Sequence, residues 1–190
     1  MARGHVILSH GLQSGPDAAK VTALAEAAQA LGWTHERPDY RDLDAQGPLG
    51  DVAARIARLR GRVLAAEGPL VLAGSSMGAF ISGEVAQQLA GADAAPAAGV
   101  AAAPALRGLF LMAPPVRLKD AWPRPLVVPG GVPVLVVHGW EDELIPAPAV
   151  VDWCAAHKVE LRLVDDTHRL AAHVEYSARA FAELLRRIGS

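Results

Sequence analysis

The hydrophobic positions of the chain fall into short apolar runs that alternate with longer segments of helical spacing. Six of the runs have the length and residue content of strands. They are His5–Ser9, residues 33–37, the run that begins at Leu70, residues 108–112, residues 132–138, and Glu160–Val164. Strands that alternate with helices are joined by parallel crossovers, which place helices on both faces of the sheet. The pattern predicts an α/β fold, a three-layer αβα sandwich with a mostly parallel sheet of about six strands.

Helical spacing fills most of the chain between these runs. The predicted helices run from an N-cap at Asp17 to Leu31, over residues 51–66, from Ala79 to Leu89, briefly through Trp153, and along the carboxyl end. The remaining stretches are predicted as a polar loop at 39–50, a loose or partly helical connection at 91–107, and a loop at 113–131 with five prolines. No repeat or domain boundary interrupts the pattern, so residues 1–190 are expected to form one domain.

The charge of the chain argues against a nucleic-acid partner. Acidic residues slightly outnumber basic ones, 20 to 18, and 52% of the residues are hydrophobic. The densest basic cluster is Arg55, Arg58, Arg60 and Arg62, within the predicted amphipathic helix at 51–66. Such a cluster is typical of a solvated helix face, and all four arginines are expected to lie on the surface.

The single cysteine, Cys154, excludes an internal disulfide and is compatible with a reducing compartment. It lies on a predicted helix beside Trp153, where a packed thiol is expected rather than a nucleophile. No segment has membrane-spanning length, and the first residues lack the apolar run of a signal peptide. The expected location is cytoplasmic, without a membrane partner, and the oligomeric state stays open.

The turn after the third run carries the strongest chemical signal. It reads Gly74-Ser75-Ser76-Met77-Gly78, a Gly-x-Ser-x-Gly motif between an apolar strand and a helix. The two glycines let strand and helix approach closely, and the tight turn exposes Ser76 at the carboxyl edge of the sheet. The backbone N–H of Met77 then lies at a helix N-terminus, where it can stabilise a developing oxyanion.

Candidate partners for Ser76 follow two later strands. Asp142 comes after the fifth run and His168 after the sixth, and the carboxyl ends of parallel strands meet at one edge of the sheet. A serine nucleophile needs such a base, oriented by an acid. The alternatives are Ser75 for the nucleophile, Glu141, Glu143, Asp165 or Asp166 for the acid, and His173 for the base.

These motifs, in this order, resemble the α/β-hydrolase superfamily over nearly the whole chain. His10-Gly11 after the first strand is similar to its oxyanion-loop motif, His138-Gly139-x-x-Asp142 to its acid loop, and Asp166-x-His168 to its histidine loop. The chain departs from larger members because it begins at their third strand and has only the loop 113–131 where a cap domain would be inserted. The resemblance is therefore to the compact serine esterases without a cap.

This resemblance implies a serine hydrolase of class EC 3.1 that acts on a small-molecule ester or thioester. Ser76, Asp142 and His168 would be catalytic, and the amides of Leu12 and Met77 would form the oxyanion hole. Gly74 and Gly78 would support the turn, and His10 and Gly11 the loop. No cofactor or metal is expected, since no nucleotide-binding glycine motif or metal-binding histidine spacing is present. A small open site is expected, with Trp122 or Trp140 as one wall. The alternative is a binding or interaction protein of the same fold with little or no turnover.

Overall fold

A parallel sheet of six strands forms the centre of the computed structural model, which describes residues 2–47, 49–91 and 104–189. The strands are β1 (His5–Ser9), β2 (Thr34–Glu36), β3 (Leu70–Ser75), β4 (Leu106–Met112), β5 (Val134–Gly139) and β6 (Glu160–Val164). Their order across the sheet is β2-β1-β3-β4-β5-β6, and every neighbouring pair is parallel. The predicted fold class is confirmed.

Helices cover both faces of this sheet. They are α1 (Ala19–Ala30), α2 (Arg41–Asp44), α3 (Val52–Ala65), α4 (Met77–Gly91), α5 (Ala147–His157) and α6 (Val174–Ile188). Residues of α1 and α6 pack with Val6 and Leu8 of β1, whereas residues of α3, α4 and α5 pack with Ile7. Successive side chains of a strand point to opposite faces, which is why one strand supplies both cores.

The two edge strands are less apolar than the sequence pattern predicts. The central strands β3 and β5 are buried along their whole length, as expected for a parallel sheet with helices on both sides. The edge strand β2 has only three residues, Thr-His-Glu, none of which is buried. In β6 only Val164 is buried. A strand at an edge has a neighbour on one side only, so it needs no continuous apolar sequence.

Two predictions about local structure were wrong. Asp17 does not cap α1, because the N-cap is Ala18 and no side-chain hydrogen bond closes that end. The segment 39–50 is not simply a polar loop, since it contains α2 and the completely buried Tyr40. The start of α3 follows its local sequence, since Asp51 accepts a hydrogen bond from the N–H of Ala54 at 2.8 Å.

The connection predicted at 91–107 lies mostly outside the described residues, and only its ends are seen in α4 and β4. The loop at 113–131 is anchored to the core beneath it. Glu84 of α4 accepts hydrogen bonds from Trp122 Nε1 at 3.0 Å and from Arg124 Nη2 at 2.8 Å. Trp153 Nε1 donates to the carbonyl of the buried Leu126 at 2.7 Å. Across the described ranges, no helix is both long and apolar enough to span a membrane.

Candidate active site

The turn between β3 and α4 has the geometry that its two glycines predict. Ser76 has a φ of 54°, a left-handed conformation that residues with a side chain rarely adopt. A Cβ on Gly74 would overlap the carbonyl of Gly78, and a Cβ on Gly78 would overlap the carbonyl of Ser9. The turn therefore requires a residue without a side chain at both positions.

Ser76, His168 and Asp142 form one chain of hydrogen bonds. Ser76 Oγ lies 2.9 Å from His168 Nε2, and His168 Nδ1 lies 2.8 Å from Asp142 Oδ2. An ionised carboxylate only accepts, so Nδ1 carries the ring proton and Nε2 accepts from the serine hydroxyl. The sheet brings these groups together although Ser76 and His168 are 92 residues apart in the chain and Asp142 and His168 are 26 residues apart.

Asp142 is held by the loop in which it lies. Its Oδ1 accepts from the N–H groups of Leu144 at 3.0 Å and Ile145 at 2.8 Å. His138, which is also buried, donates from Nε2 to the carbonyl of Ile145 at 2.9 Å and so supports the same loop. Burial by itself raises the pKa of Asp142, but the hydrogen bonds from His168 and Ile145 outweigh it and lower the pKa below its usual value. The carboxylate is therefore ionised at neutral pH.

The alternative acids and bases make other contacts. Glu143 accepts from the backbone N–H of His168 at 3.3 Å, while Glu141 is exposed. His173 Nδ1 lies 3.0 Å from Asp166, whose carboxylate also accepts from the N–H groups of Thr167 and Ala172. This cluster closes the loop before α6.

The loop after β1 presents a backbone amide toward the same region. In this loop the carbonyl of Gly11 accepts from His10 Nδ1 at 2.8 Å and from Arg55 Nη2 at 3.3 Å. His10 Nε2 accepts from the N–H of Tyr40 at 3.0 Å, so the ring proton must be on Nδ1. Because C=O and N–H point in opposite directions across a trans peptide, the N–H of Leu12 faces away from Arg55. Among the described residues, neither this N–H nor that of Met77 has a hydrogen-bond acceptor.

Arg55 was predicted to be exposed, and this prediction was wrong. It is completely buried and lies under the β1 loop. Its Nε donates to Asp44 at 2.7 Å and its Nη1 to the carbonyl of His10 at 3.3 Å. Its guanidinium also stacks 4.8 Å from the centre of the Tyr40 ring. Burial lowers the pKa of Arg55, and the carboxylate of Asp44 counteracts that effect.

A cavity of about 630 Å³ opens over these groups. Ser76, His168, Leu12 and Met77 all line it. Apolar walls come from α1, from the loops after β4 and β5, and from the rim residues Leu49 and Leu144. Neither Trp122 nor Trp140 lines the cavity, so the predicted tryptophan wall was wrong; the loop 113–131 contributes Pro115 and Leu118 instead.

Comparison with models of protein families gives no match, and comparison with curated proteins gives none. Among solved structures, the chain is 51% identical to a protein from Xanthomonas campestris pv. campestris assigned to the α/β-hydrolase superfamily. The TM-score is 0.84, and the match covers 97% of this chain and 99% of that one. The chain belongs to the α/β-hydrolase superfamily.

Solved structures of lower identity share the fold. A serine hydrolase homologue from Coxiella burnetii is 22% identical, with a TM-score of 0.68 over 96% of this chain and 85% of that one. An esterase from Pyrococcus furiosus is 16% identical, with a TM-score of 0.65 over 100% of this chain and 85% of that one. At these identities the comparison establishes the common architecture.

The cysteine of this α/β-hydrolase superfamily member, Cys154, does not line the cavity. Cys154 is buried, and burial raises the pKa of its thiol to about 12, so the thiol is protonated at neutral pH. Within the described ranges, no group of three or more His, Cys, Asp or Glu side chains could hold a metal ion.

Proposed function

We propose that this protein is a serine hydrolase of class EC 3.1 that cleaves carboxylic esters or thioesters through an acyl-enzyme. The observation that supports this proposal most strongly is the uninterrupted chain of hydrogen bonds from Ser76 to His168 to Asp142, at 2.9 and 2.8 Å. Its serine occupies a strained turn at the floor of a cavity. A nucleophile, a base and an orienting acid in this arrangement are the parts that acyl transfer requires.

In the proposed reaction, His168 Nε2 removes the hydroxyl proton of Ser76 while Oγ attacks the carbonyl carbon. Asp142 keeps the ring proton on Nδ1 and stabilises the imidazolium that forms. His168 then gives its proton to the leaving alcohol or thiol, and the acyl group remains on Ser76. A water molecule, activated by the same histidine, releases the acid.

The N–H groups of Leu12 and Met77 are the proposed donors to the oxyanion of the tetrahedral intermediates. Neither has another acceptor among the described residues, and both residues line the cavity. A preorganised donor of this kind typically contributes about 3–4 kcal/mol to transition-state stabilisation. We assign His10 and Arg55 a positioning role, because both donate to the carbonyl of Gly11 and thereby set the direction of the Leu12 N–H.

Replacing Arg55 with lysine is expected to lower kcat about tenfold or more, because a misdirected oxyanion donor loses part of a contribution worth about 10²–10³ in rate. Lysine keeps a positive charge against Asp44, but its single ammonium cannot hold the planar set of acceptors that the guanidinium reaches. The effect should fall on kcat with little change in KM, both determined from initial rates over a range of ester concentrations. Arg58→Lys is the matched control, since Arg58 pairs with Asp42 at the surface, and it should behave as the parent. Parental kcat in Arg55→Lys would contradict the positioning role.

The whole chain is proposed to form one domain, with residues 113–131 in the place of a cap. This segment supplies only Pro115 and Leu118 to the cavity, and its anchoring through Glu84 favours a rigid rim over a mobile lid. Each buried methylene contributes only about 0.8 kcal/mol, and an open groove buries few of them. A long acyl chain therefore adds little binding free energy. Short acyl groups of roughly two to six carbons should therefore be the best substrates.

The test is a panel of p-nitrophenyl esters and acyl thioesters of increasing chain length, together with labelling by a fluorophosphonate. We expect turnover of the short esters and a single covalent adduct on Ser76, located by mass spectrometry. A steady rise of kcat/KM toward long chains would contradict the open site. Absence of both turnover and labelling would favour the alternative of a binding protein that keeps only the fold.

A further inference from the structure

Lys20 lies in the first turn of α1 and faces the same cavity as Ser76. Its ammonium group donates one hydrogen bond, to the backbone carbonyl of Arg169 at 2.7 Å. An ammonium group has three N–H donors, so two are left for another partner. The side chain is half-buried, and burial lowers its pKa. A partly desolvated cation with unused donors therefore faces the cavity.

Carboxylates near Lys20 are already occupied. Asp166 accepts from Thr167, Ala172 and His173, and Asp142 accepts from His168 and two backbone amides. Among the residues that the structure describes, no carboxylate oxygen lies within 4.0 Å of the Lys20 ammonium. A half-buried charge of this kind gains from a counter-ion, and the protein itself provides none in direct contact.

The second cation at the cavity is Arg169, which directly follows His168. It is exposed. After burial, which lowers the pKa of Lys20, the charge of Asp166 raises that pKa, the charge of Arg169 lowers it and the charge of Asp142 raises it; neither carboxylate lines the cavity. Two like charges near one another favour an anion between them. The described lining of the cavity contains no Asp or Glu, although acidic residues outnumber basic ones in the chain as a whole, 20 to 18. Lys20 and Arg169 are therefore the only lysine or arginine residues in the described lining, and no carboxylate there offsets them.

We propose that the ester or thioester cleaved at Ser76 carries a carboxylate, and that Lys20 binds this carboxylate with Arg169 at the mouth of the cavity. This inference rests on the proposed serine hydrolase function and specifies its substrate class. Lys20 and Ser76 line one cavity, so a single molecule can present its carboxylate to Lys20 and its scissile carbonyl to Ser76. Lys20 is a specificity-determining residue in this scheme and takes no part in the chemical steps.

The experiment compares two pairs of esters that differ in charge but hardly in shape. In the first pair the acyl group differs, p-nitrophenyl hemiglutarate against p-nitrophenyl glutaramate. In the second the leaving group differs, p-carboxyphenyl butyrate against p-carbamoylphenyl butyrate. For each pair the ratio of kcat/KM, anionic over neutral and corrected for spontaneous hydrolysis, is measured in the parent, Lys20→Met, Lys20→Arg and Lys158→Met.

In at least one pair of esters, the ratio in Lys20→Met should be about ten- to a hundredfold lower than the ratio in the parent. This is the range expected for loss of a charged hydrogen bond. Lys20→Arg should keep most of the preference. Lys158→Met removes the same charge from an exposed position after α5 and should leave the ratio unchanged. Neutral-ester turnover should be nearly equal in the parent and Lys158→Met, and taking the ratio within each protein cancels any general effect of a Lys20 variant on the loop of Arg169. The parent preference should also weaken as ionic strength rises, a measurement that needs no variant.

Two failures can be told apart. If the parent hydrolyses the neutral esters and reacts with a fluorophosphonate, but shows the same ratio as Lys20→Met in both pairs, the carboxylate proposal is overturned and the hydrolase proposal stands. If the parent neither hydrolyses any of the four esters nor reacts with the fluorophosphonate, the hydrolase proposal itself fails, and the inference fails with it. If the ratio fell as far in Lys158→Met as in Lys20→Met, the role of Lys20 would also be overturned, since the preference would then reflect the total charge of the protein alone.

Discussion

Ser76→Ala is expected to abolish ester hydrolysis and covalent labelling by a fluorophosphonate while the fold is retained. Its hydroxyl is the group that His168 Nε2 faces at 2.9 Å, and alanine offers no nucleophile there. Loss of the nucleophile of a triad typically lowers turnover by about 10⁴-fold or more. Alanine fits the space of a serine, so the strained φ of 54° stays the main local constraint and the melting temperature should change little. Turnover of a short p-nitrophenyl ester, intact-protein mass after labelling, and thermal unfolding are the measurements.

Ser75→Ala is the matched control for this prediction. Ser75 is the last residue of β3, next to the proposed nucleophile, and is buried. Its hydroxyl makes no hydrogen bond to His168 or to another described side chain. Ser75→Ala should therefore keep most of the activity. An inactive Ser75→Ala beside an active Ser76→Ala would show that the nucleophile had been placed one residue too late.

Asp142→Asn is expected to lower kcat by about 10⁴-fold, because it leaves the wrong tautomer of His168. The Oδ1 position accepts from the N–H groups of Leu144 and Ile145, so the oxygen of the asparagine amide will stay there. The NH₂ group must then face His168 Nδ1, which lies 2.8 Å from that position in the parent. Nδ1 becomes an acceptor, the ring proton moves to Nε2, and Nε2 can no longer take a proton from Ser76. Turnover and a phosphonate-labelling time course should decline together, and His168→Ala should decline as strongly.

His173→Ala serves as the control for the base. His173 is paired with Asp166 at the start of α6, so its loss should cost some stability and leave kcat close to the parental value. Full activity in Asp142→Asn would contradict the role of the acid. Loss of activity in His173→Ala, with His168→Ala still active, would transfer the role of the base to His173.

Much of the fold could be predicted from local sequence because a buried parallel strand must be apolar along its length. The run at β1 matches the observed strand residue for residue, and the run at Leu70 opens β3. The bounds of the edge strand β6 also match, although only Val164 of it is buried. The bounds of β2, β4 and β5 were missed by one or two residues. The candidate site could be read for a related reason. The loops that carry Ser76, Asp142 and His168 each follow a strand, and parallel strands end at one edge.

The sequence by itself determined the α/β class, the strained turn at Ser76, and the set of loops that meet above the sheet. Those features follow from short-range patterns, namely apolar runs and glycines two residues either side of a serine. Only the tertiary structure decided the surroundings of the charged side chains. Arg55 belongs to a regular amphipathic pattern, and its burial depends on the carbonyls of Gly11 and His10, which lie 44 and 45 residues away in the chain. In the sequence Lys20 is likewise an ordinary helical residue, and its partner is the carbonyl of Arg169, which lies 149 residues away in the chain. A charged side chain is stabilised by whichever partner the fold brings within hydrogen-bond distance, and the spacing of residues along the chain does not predict that distance.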